Sequence, residues 1–290
     1  MGENEKSNLA YIIASMFCMT KQVESIFDKI DLCRLPENRE HYIFTGPGGI
    51  GKTSALIEYT YNEKNKPHVL FSNEVEIEKI PVMYMNISSA YTLKALLQSI
   101  IDATRETFRI SYSIEKHIQQ INILFKEKGV EALILDDVQE IIFSRYHTPY
   151  DVLDTLIDIA NITNVSLILC GLPEIEKVME SDIKYGRVFR PMNLNPYIFD
   201  DEFVEMLKSI EEQIDAPFPL GFSDLKSEIP QLLFKASKGY IGRLKSIILE
   251  AFRQIGLFED KIELSQMKMS QDVVTKACEK VSEYWSNMEK

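Results

Sequence analysis

Cysteine is scarce in this 290-residue chain: the four present, Cys18, Cys33, Cys170 and Cys278, stand far apart and form no C-x-x-C pair. A structural zinc site draws on such pairs, so no metal cluster is expected. The 12 glycines and 11 prolines are too few for a low-complexity polymer, while 45% hydrophobic and 10% aromatic content suits a chain that buries a core. No stretch reaches the roughly 18 uninterrupted apolar residues of a membrane span. The opening MGENEKSNLAYIIASMFCM carries no basic region ahead of a small-residue cleavage site. A soluble chain in a reducing, cytoplasmic setting, with no membrane partner, is the expectation. Basic excess is also missing, since 32 Lys and Arg face 44 Asp and Glu for a net charge of −12. That balance excludes a strongly basic protein that coats nucleic acid by bulk charge alone.

What is present is a phosphate-binding loop. Residues 42–60 read YIFTGPGGIGKTSALIEYT, and Gly46, Pro47, Gly48, Gly49, Ile50, Gly51, Lys52 and Thr53 fit G-x-x-x-x-G-K-[ST]. The β-prone residues 42–45 predict a buried strand, the glycines a tight loop, and the segment from Ser54 onward a helix. Each part has a physical reason. Glycines let backbone N–H groups crowd around a phosphate, and the helix N-terminus adds partial positive charge. Lys52 is expected to reach the β- and γ-phosphates of ATP and Thr53 to coordinate Mg²⁺, with Ser54 completing the nucleotide-binding stretch. A second strand is needed to hold the metal, and ALILDDV at 132–138 supplies one: four apolar residues followed by two carboxylates. Asp136 is the expected Mg²⁺ partner. Asp137 is the residue expected to orient or polarise the attacking water.

Strand and helix patterns alternate from residue 42 onward. VMYMNIS (82–88) and VSLILCG (165–171) read as further strands, and 93–107, 114–128 and 151–160 as helices. Such alternation predicts an α/β fold, a parallel sheet with helices on both faces. Beyond about residue 198 strand signals stop, and helices are expected at 201–213, 224–236, 241–255 and 271–287. The organisation so read is an N-terminal helical segment (1–40), a P-loop core (41–197) and a small C-terminal helical lid (198–290), with the Pro-containing stretch 193–197 as hinge. Residues 64–79, rich in Glu, Asn and Lys, read as a solvated loop.

The P-loop, the Asp136–Asp137 strand, a fourth strand and a helical lid in this order resemble an AAA+ ATPase. The stretch LILCGLPEIEKVMESDIKYGRVFRPMNLNPY, together with SKGYIGRLKSIILEAFRQI at 237–255, resembles the TniB/TnsC-type ATPases that regulate DNA transposition. The resemblance runs from about Tyr11 to Ile262. It implies that Arg187 takes the place of the arginine that reaches a neighbouring subunit's γ-phosphate, with Arg190 as the alternative, and that Arg243 is the second sensor, coupling nucleotide state to the lid. It also implies ATP-driven head-to-tail assembly into oligomers or filaments on duplex DNA, and contact with transposase and target-selection proteins. A DNA-contacting lysine falls at about Lys94, and Arg105 and Arg109 flank the same helix, with Thr92 and Tyr112 nearby.

Two departures stand out. Asp137 replaces the glutamate common in that second position, and the fourth strand ends in Cys170, Gly171 and Leu172 where a polar first sensor is usual. Both imply slow hydrolysis. Asn86 and Gln139 are polar groups that could face the γ-phosphate instead, or serve as ordinary capping and loop residues. Two alternatives remain open at the level of sequence: a signalling or defence NTPase switch of the same superfamily, and an ATPase that remodels DNA or protein by steady turnover.

Overall fold

The structure, a computed structural model, describes all residues except 1, 36, 38, 63, 73, 74, 88–91, 260, 261, 289 and 290. In chain order the elements are α1 (Gly2–Ser15), α2 (Lys21–Arg34), β1 (His41–Thr45), α3 (Lys52–Tyr61), β2 (His68–Ser72), β3 (Val75–Lys79), β4 (Val82–Asn86), α4 (Leu93–Ala103), α5 (Ile114–Lys128), β5 (Ala132–Asp136), α6 (Gln139–Ile142), α7 (Pro149–Thr163), β6 (Ser166–Gly171), α8 (Glu174–Glu180), α9 (Ile183–Val188), β7 (Phe189–Asn193), α10 (Asp201–Ile214), α11 (Ile229–Ser237), α12 (Ile241–Gln254) and α13 (Gln271–Met288). They form two compact units. One comprises residues 21–48 and 52–194; the other comprises 1–20, the loop tip 49–51, and 195–290.

The first unit is built on a five-stranded sheet in the order β4-β5-β6-β1-β7, with every pairing parallel. The α/β expectation is met. Every residue of β5 and β6 is buried, as continuous apolar runs in the middle of a parallel sheet require. The registers align the strand ends along one carboxyl edge: Asn86 lies opposite Asp136, and Thr45 lies between Gly171 and Asn193. Helices close both faces, and the core unites strand residues such as Leu133 and Leu169 with Leu97 and Ile100 of α4, Phe125 of α5 and Leu156 of α7. On α2, Arg34 donates to Glu131 at 2.9 Å and to Tyr59 at 2.8 Å, fixing that helix to the sheet layer.

Local chemistry sets the helix ends. Thr148 and Asp151 form a reciprocal capping box with Pro149 in the first turn, so α7 starts two residues before the stretch read from periodicity. Helix α4 stops at Ala103 rather than 107, because Arg105 adopts a left-handed φ of 63° that ends the helical run.

Three readings are corrected. Residues 68–72 and 75–79 are not a solvated loop but two antiparallel paired strands, β2 and β3, in which His68 pairs with Lys79 and Leu70 with Ile77. The Glu-rich alternation VEIEK is a strand with one polar face, which composition alone reads as loop. Strand β7 was not anticipated. It carries Arg190 and Pro191, a residue confined to edge strands because it lacks an N–H, and it pairs only with β1. Helix α11 covers 229–237 rather than 224–236, since residues 221–228 form turns. Of the strand read at 82–88, Ser88 lies outside the described residues.

The second unit is helical. Phe203, Leu207 and Ile210 of α10, Leu233 of α11, Leu244, Ile248 and Phe252 of α12, Val274 and Ala277 of α13, and Leu9 and Ile13 of α1 form one apolar core. Within it, Glu250 is 5% exposed and takes 2.7 Å and 3.0 Å contacts from Lys280 and Arg253. Burial alone would raise its pKa, but those two cations and Gln254 hold the carboxyl below its usual range. Among the described residues, no helix in either unit is long and apolar enough to cross a membrane.

Candidate nucleotide site

The site begins where β1 ends. Gly46 N–H donates to Gly171 O at 3.3 Å, tying the start of the loop to the end of β6. Gly49 and Gly51 have φ of 81° and 96°, a region that side chains strongly disfavour. A Cβ built on Gly48, Gly49 or Gly51 meets no heavy atom within 4 Å, so the loop backbone borders open space. Ile50 is buried between these glycines. Lys52, the first residue of α3, is only 8% exposed, and its Nζ donates to Gly46 O at 2.7 Å and Pro47 O at 3.0 Å. The ammonium thus lies folded over the carbonyls of its own loop. Ser54 is exposed on the first turn of α3.

The Thr53 hydroxyl donates to Asp136 Oδ2 at 2.6 Å, joining the P-loop helix to the end of β5. Asp136 is fully buried. Its Oδ2 also accepts from the Tyr84 hydroxyl at 3.1 Å, and its Oδ1 accepts from Asp137 N–H at 3.0 Å. Tyr84 was missed by motif reading, although period-2 alternation along β4 sets it on the same strand face as Asn86. Burial and the Asp136 charge both raise the Tyr84 hydroxyl pKa, so it stays a donor. Cys170 is fully buried, and burial, reinforced by Asp136, pushes its thiol well above the ordinary value. It is a buried neutral thiol beside Asp136.

Asp137 stands at a left-handed φ of 56° on the turn after β5. One carboxylate oxygen accepts from Asn86 Nδ2 at 2.7 Å and the other from Gln139 Nε2 at 3.1 Å. Gln139 Oε1 in turn accepts from Leu172 N–H at 3.2 Å.

The arginines separate by their partners. Arg187, on α9, is exposed and joins no ion pair among the described residues. Arg190, on β7, donates to Glu40 at 2.9 Å and is held in that pair. Arg243, in the helical unit, lies with its guanidinium 4.8 Å from the Tyr240 ring centroid and 5.1 Å from that of Trp285.

The basic residues near α4 also differ. Lys94 lines a hollow of about 560 Å³ with Thr92, His147, Asp151, Asp154 and Asp158, a setting of mixed sign. Arg105 is paired with Glu78 of β3. Arg109 stacks 5.7 Å from the Tyr112 ring, which Lys116 also approaches at 5.5 Å. Together they border a second hollow lined by Gln119, Gln120 and Ile123.

The residues fit a magnesium nucleotide. The loop offers backbone and a lysine beside open space, and Thr53 with Asp136 offers the hard oxygen donors Mg²⁺ prefers. Among the described residues there is no cluster of three or more His, Cys, Asp and Glu that could hold a metal.

Comparison with solved structures finds the ORC2 protein of Aeropyrum pernix in ADPNP–ADP complexes, with TM-score 0.63 and 15% identity, covering 92% of this chain and 70% of that one. The ORC1 protein of the same organism in complex with DNA aligns with TM-score 0.61 and 14% identity over 94% of this chain and 69% of that one. A Walker-type ATPase of Pyrococcus abyssi aligns with TM-score 0.59 and 16% identity over 96% and 78%. At such identities the likeness is one of fold, the AAA+ ATPase fold. No curated protein matches the sequence significantly. The family described as "Bacterial TniB protein" matches residues 8–198. That span takes in the P-loop, both carboxylates and all five strands of the parallel sheet, and so the chain belongs to the TniB family, with an AAA+ ATPase fold.

Proposed function

We propose that this chain is an ATP-dependent regulator of DNA transposition. In its ATP state it assembles head to tail on duplex DNA and recruits or activates a transposase at the target site. The observation that carries the reading is the Thr53–Asp136 contact at the carboxyl edge of the sheet, in a chain of the TniB family. Lys52, Thr53 and Asp136 would hold ATP and Mg²⁺. When bound, the nucleotide supplies a transferable γ-phosphoryl group, and the ion neutralises its charge.

The chain's own groups then have defined tasks. The Lys52 ammonium leaves the carbonyls of Gly46 and Pro47 to meet phosphate oxygens. Asp136 stays fixed through Tyr84 and the Asp137 N–H. Asp137 positions water once it is released from its amide partners. Arg187, exposed and without an ion pair among the described residues, is available to a neighbouring subunit, whereas Arg190 is engaged by Glu40. Arg243 serves as the lid's nucleotide-responsive arginine. The acidic balance of −12 makes DNA binding depend on many weak contacts summed along an assembly, not on one subunit.

The deciding experiment is electron microscopy of the full chain with duplex DNA and a slowly hydrolysed ATP analogue, beside Lys52→Ala. Regular nucleotide-dependent assemblies that Lys52→Ala fails to form are expected. Discrete particles in every nucleotide state would overturn the assembly reading.

A further inference from the structure

We propose that the open edge of β2 is a two-fold contact through which two copies of this chain pair, strand against antiparallel strand, in the absence of nucleotide. The inference goes beyond the ATP reading above and does not rest on it.

Among the described residues β2 pairs only with β3, so its other edge keeps outward N–H and C=O groups that meet no strand. Two strands alone are marginal in water. The ties that hold this pair to the body are made by β3: Lys79 Nζ donates to Glu127 O at 2.9 Å, and Glu78 is ion-paired with Arg105 and, at 3.3 Å, with Lys128. Val69 and Leu70 point to opposite faces of β2, yet they are 50% and 47% exposed, so both faces of the strand meet solvent. Such an edge is ordinarily blunted by a charged side chain, a proline or a bulge. Residues 68–72, HVLFS, contain no Lys, Arg, Asp or Glu and no proline. Val82, which follows β3 closely, pairs with Ala132 at the amino ends of β4 and β5, whereas the P-loop leaves the carboxyl end of β1. The β2–β3 pair therefore joins the parallel sheet at the end opposite the P-loop.

The charge pattern around the strand selects a second copy as its occupant. Counted from Leu70, lysines stand four and six residues before, at Lys66 and Lys64, and glutamates stand four and six residues after, at Glu74 and Glu76. In an antiparallel pair centred on Leu70, the cationic flank of each copy runs toward the acidic flank of the other, and the uncharged strand meets itself. A parallel pair would set lysines beside lysines and glutamates beside glutamates. Charge thus fixes both the occupant and its direction. Lys64 and Glu76 are exposed, as this requires. The two-fold axis places Leu70 of one copy beside Leu70 of the other and takes their exposed surface out of water. An isologous contact of this kind closes at two copies instead of propagating. Two strands of five residues make a small interface, which belongs to the weak, micromolar class.

The test is sedimentation velocity of the full chain over a micromolar concentration series, without nucleotide or DNA, with Tm measured in parallel. Wild type should show a reversible monomer–dimer equilibrium. Leu70→Lys, which opposes two ammonium groups across the axis, should weaken it at least about tenfold. Lys64→Glu combined with Lys66→Glu should weaken it in the same direction, and adding Glu74→Lys and Glu76→Lys should restore it. Leu70→Cys should give a covalent dimer in a glutathione buffer, because facing Cα atoms in an antiparallel pair stand about 4.5–5.5 Å apart, within disulfide reach. Val69→Cys, displaced from the axis, should crosslink no more than wild type. If Leu70→Lys lowers Tm, the lysine reversals, which lie outside the strand, carry the same expectation. A wild type that sediments as a monomer throughout, or a dimer indifferent to Leu70→Lys and to the reversals, overturns the contact. A dimer in which Val69→Cys crosslinks as well as Leu70→Cys overturns the two-fold register. Since no nucleotide is present, either failure leaves the ATP reading intact.

Discussion

Two substitutions at Asp136 separate its structural weight from the metal-binding role proposed for it. The carboxylate is fully buried and accepts from three donors: the Thr53 hydroxyl at 2.6 Å, the Tyr84 hydroxyl at 3.1 Å and the Asp137 N–H at 3.0 Å. Asp136→Ala removes both acceptor oxygens and with them all three hydrogen bonds. Thr53 is exposed and Tyr84 half-buried, so their hydroxyls can turn to water, and the loss falls mainly on the Asp137 N–H and on the cavity left behind. An orphaned buried donor costs about 1–3 kcal/mol and the missing side-chain atoms about 1 kcal/mol more, giving a loss of roughly 2–4 kcal/mol. For a unit of this size that corresponds to a fall in Tm of about 5–15 °C.

Asp136→Asn behaves differently. Its Oδ1 can keep the Asp137 N–H, and its amide can face hydroxyls that rotate to accept. No ion pair among the described residues compensates the native charge, so neutralising it removes a desolvation cost. Differential scanning fluorimetry should find the Asn variant within about 3 °C of wild type, equivalent to about 1 kcal/mol. Mg²⁺-dependent ATP affinity, measured by titration calorimetry, should fall at least about tenfold in both variants. An Asn variant that unfolds as early as the Ala variant would make the carboxylate a structural keystone. One that retains Mg²⁺-dependent binding would remove Asp136 from the metal's coordination. Either result refutes the reasoning.

Other expectations follow from the same geometry. His41 Nδ1 accepts the Leu167 N–H at 2.9 Å, and burial lowers its pKa below 6.5. The unfolded chain then takes up a proton before the folded one does as pH falls, so this contribution is complete above about pH 6.5 and is lost below it. Tm measured between pH 7.5 and 5.5 should therefore decline, and His41→Asn should flatten that decline; an equal slope in the variant would exclude His41 as its source. Arg187→Ala should retain ATP affinity and lose the DNA-stimulated part of hydrolysis, while Arg190→Ala, which breaks only the exposed pair with Glu40, should cost no more than about 1 kcal/mol and leave turnover intact; the reverse pattern would exchange their roles. Arg109→Glu should weaken DNA affinity at moderate salt more than Lys94→Glu, because Lys94 sits among three aspartates. Equal losses would show that both face the duplex.

The central strands were legible because burial on both faces leaves a continuous apolar run, as in ALILD and SLILCG. The same physics hid β7. An edge strand needs few apolar residues, and Arg190 and Pro191 within it read as a break. The pairing of β2 with β3 was hidden for a related reason, since one face of β3 is glutamate. At the site, the loop and the carboxylate pair announce themselves because close phosphate and metal contact restricts which residues serve. The Tyr84–Asp136 and Gln139–Leu172 contacts do not announce themselves. They are set by the β4–β5 and β5–β6 registers, which bring together residues 52 and 33 positions apart.

The stacking of Arg243 on Trp285 has an optical consequence. Trp285 is the sole tryptophan of the chain, and its indole lies 5.1 Å from that guanidinium with Tyr240 on the cation's other contact. All tryptophan emission therefore originates beside the arginine proposed to sense nucleotide. Departure of Arg243 from the ring would alter the field around a single fluorophore, so the contact itself can be followed in the unlabelled protein, in real time, by its own light.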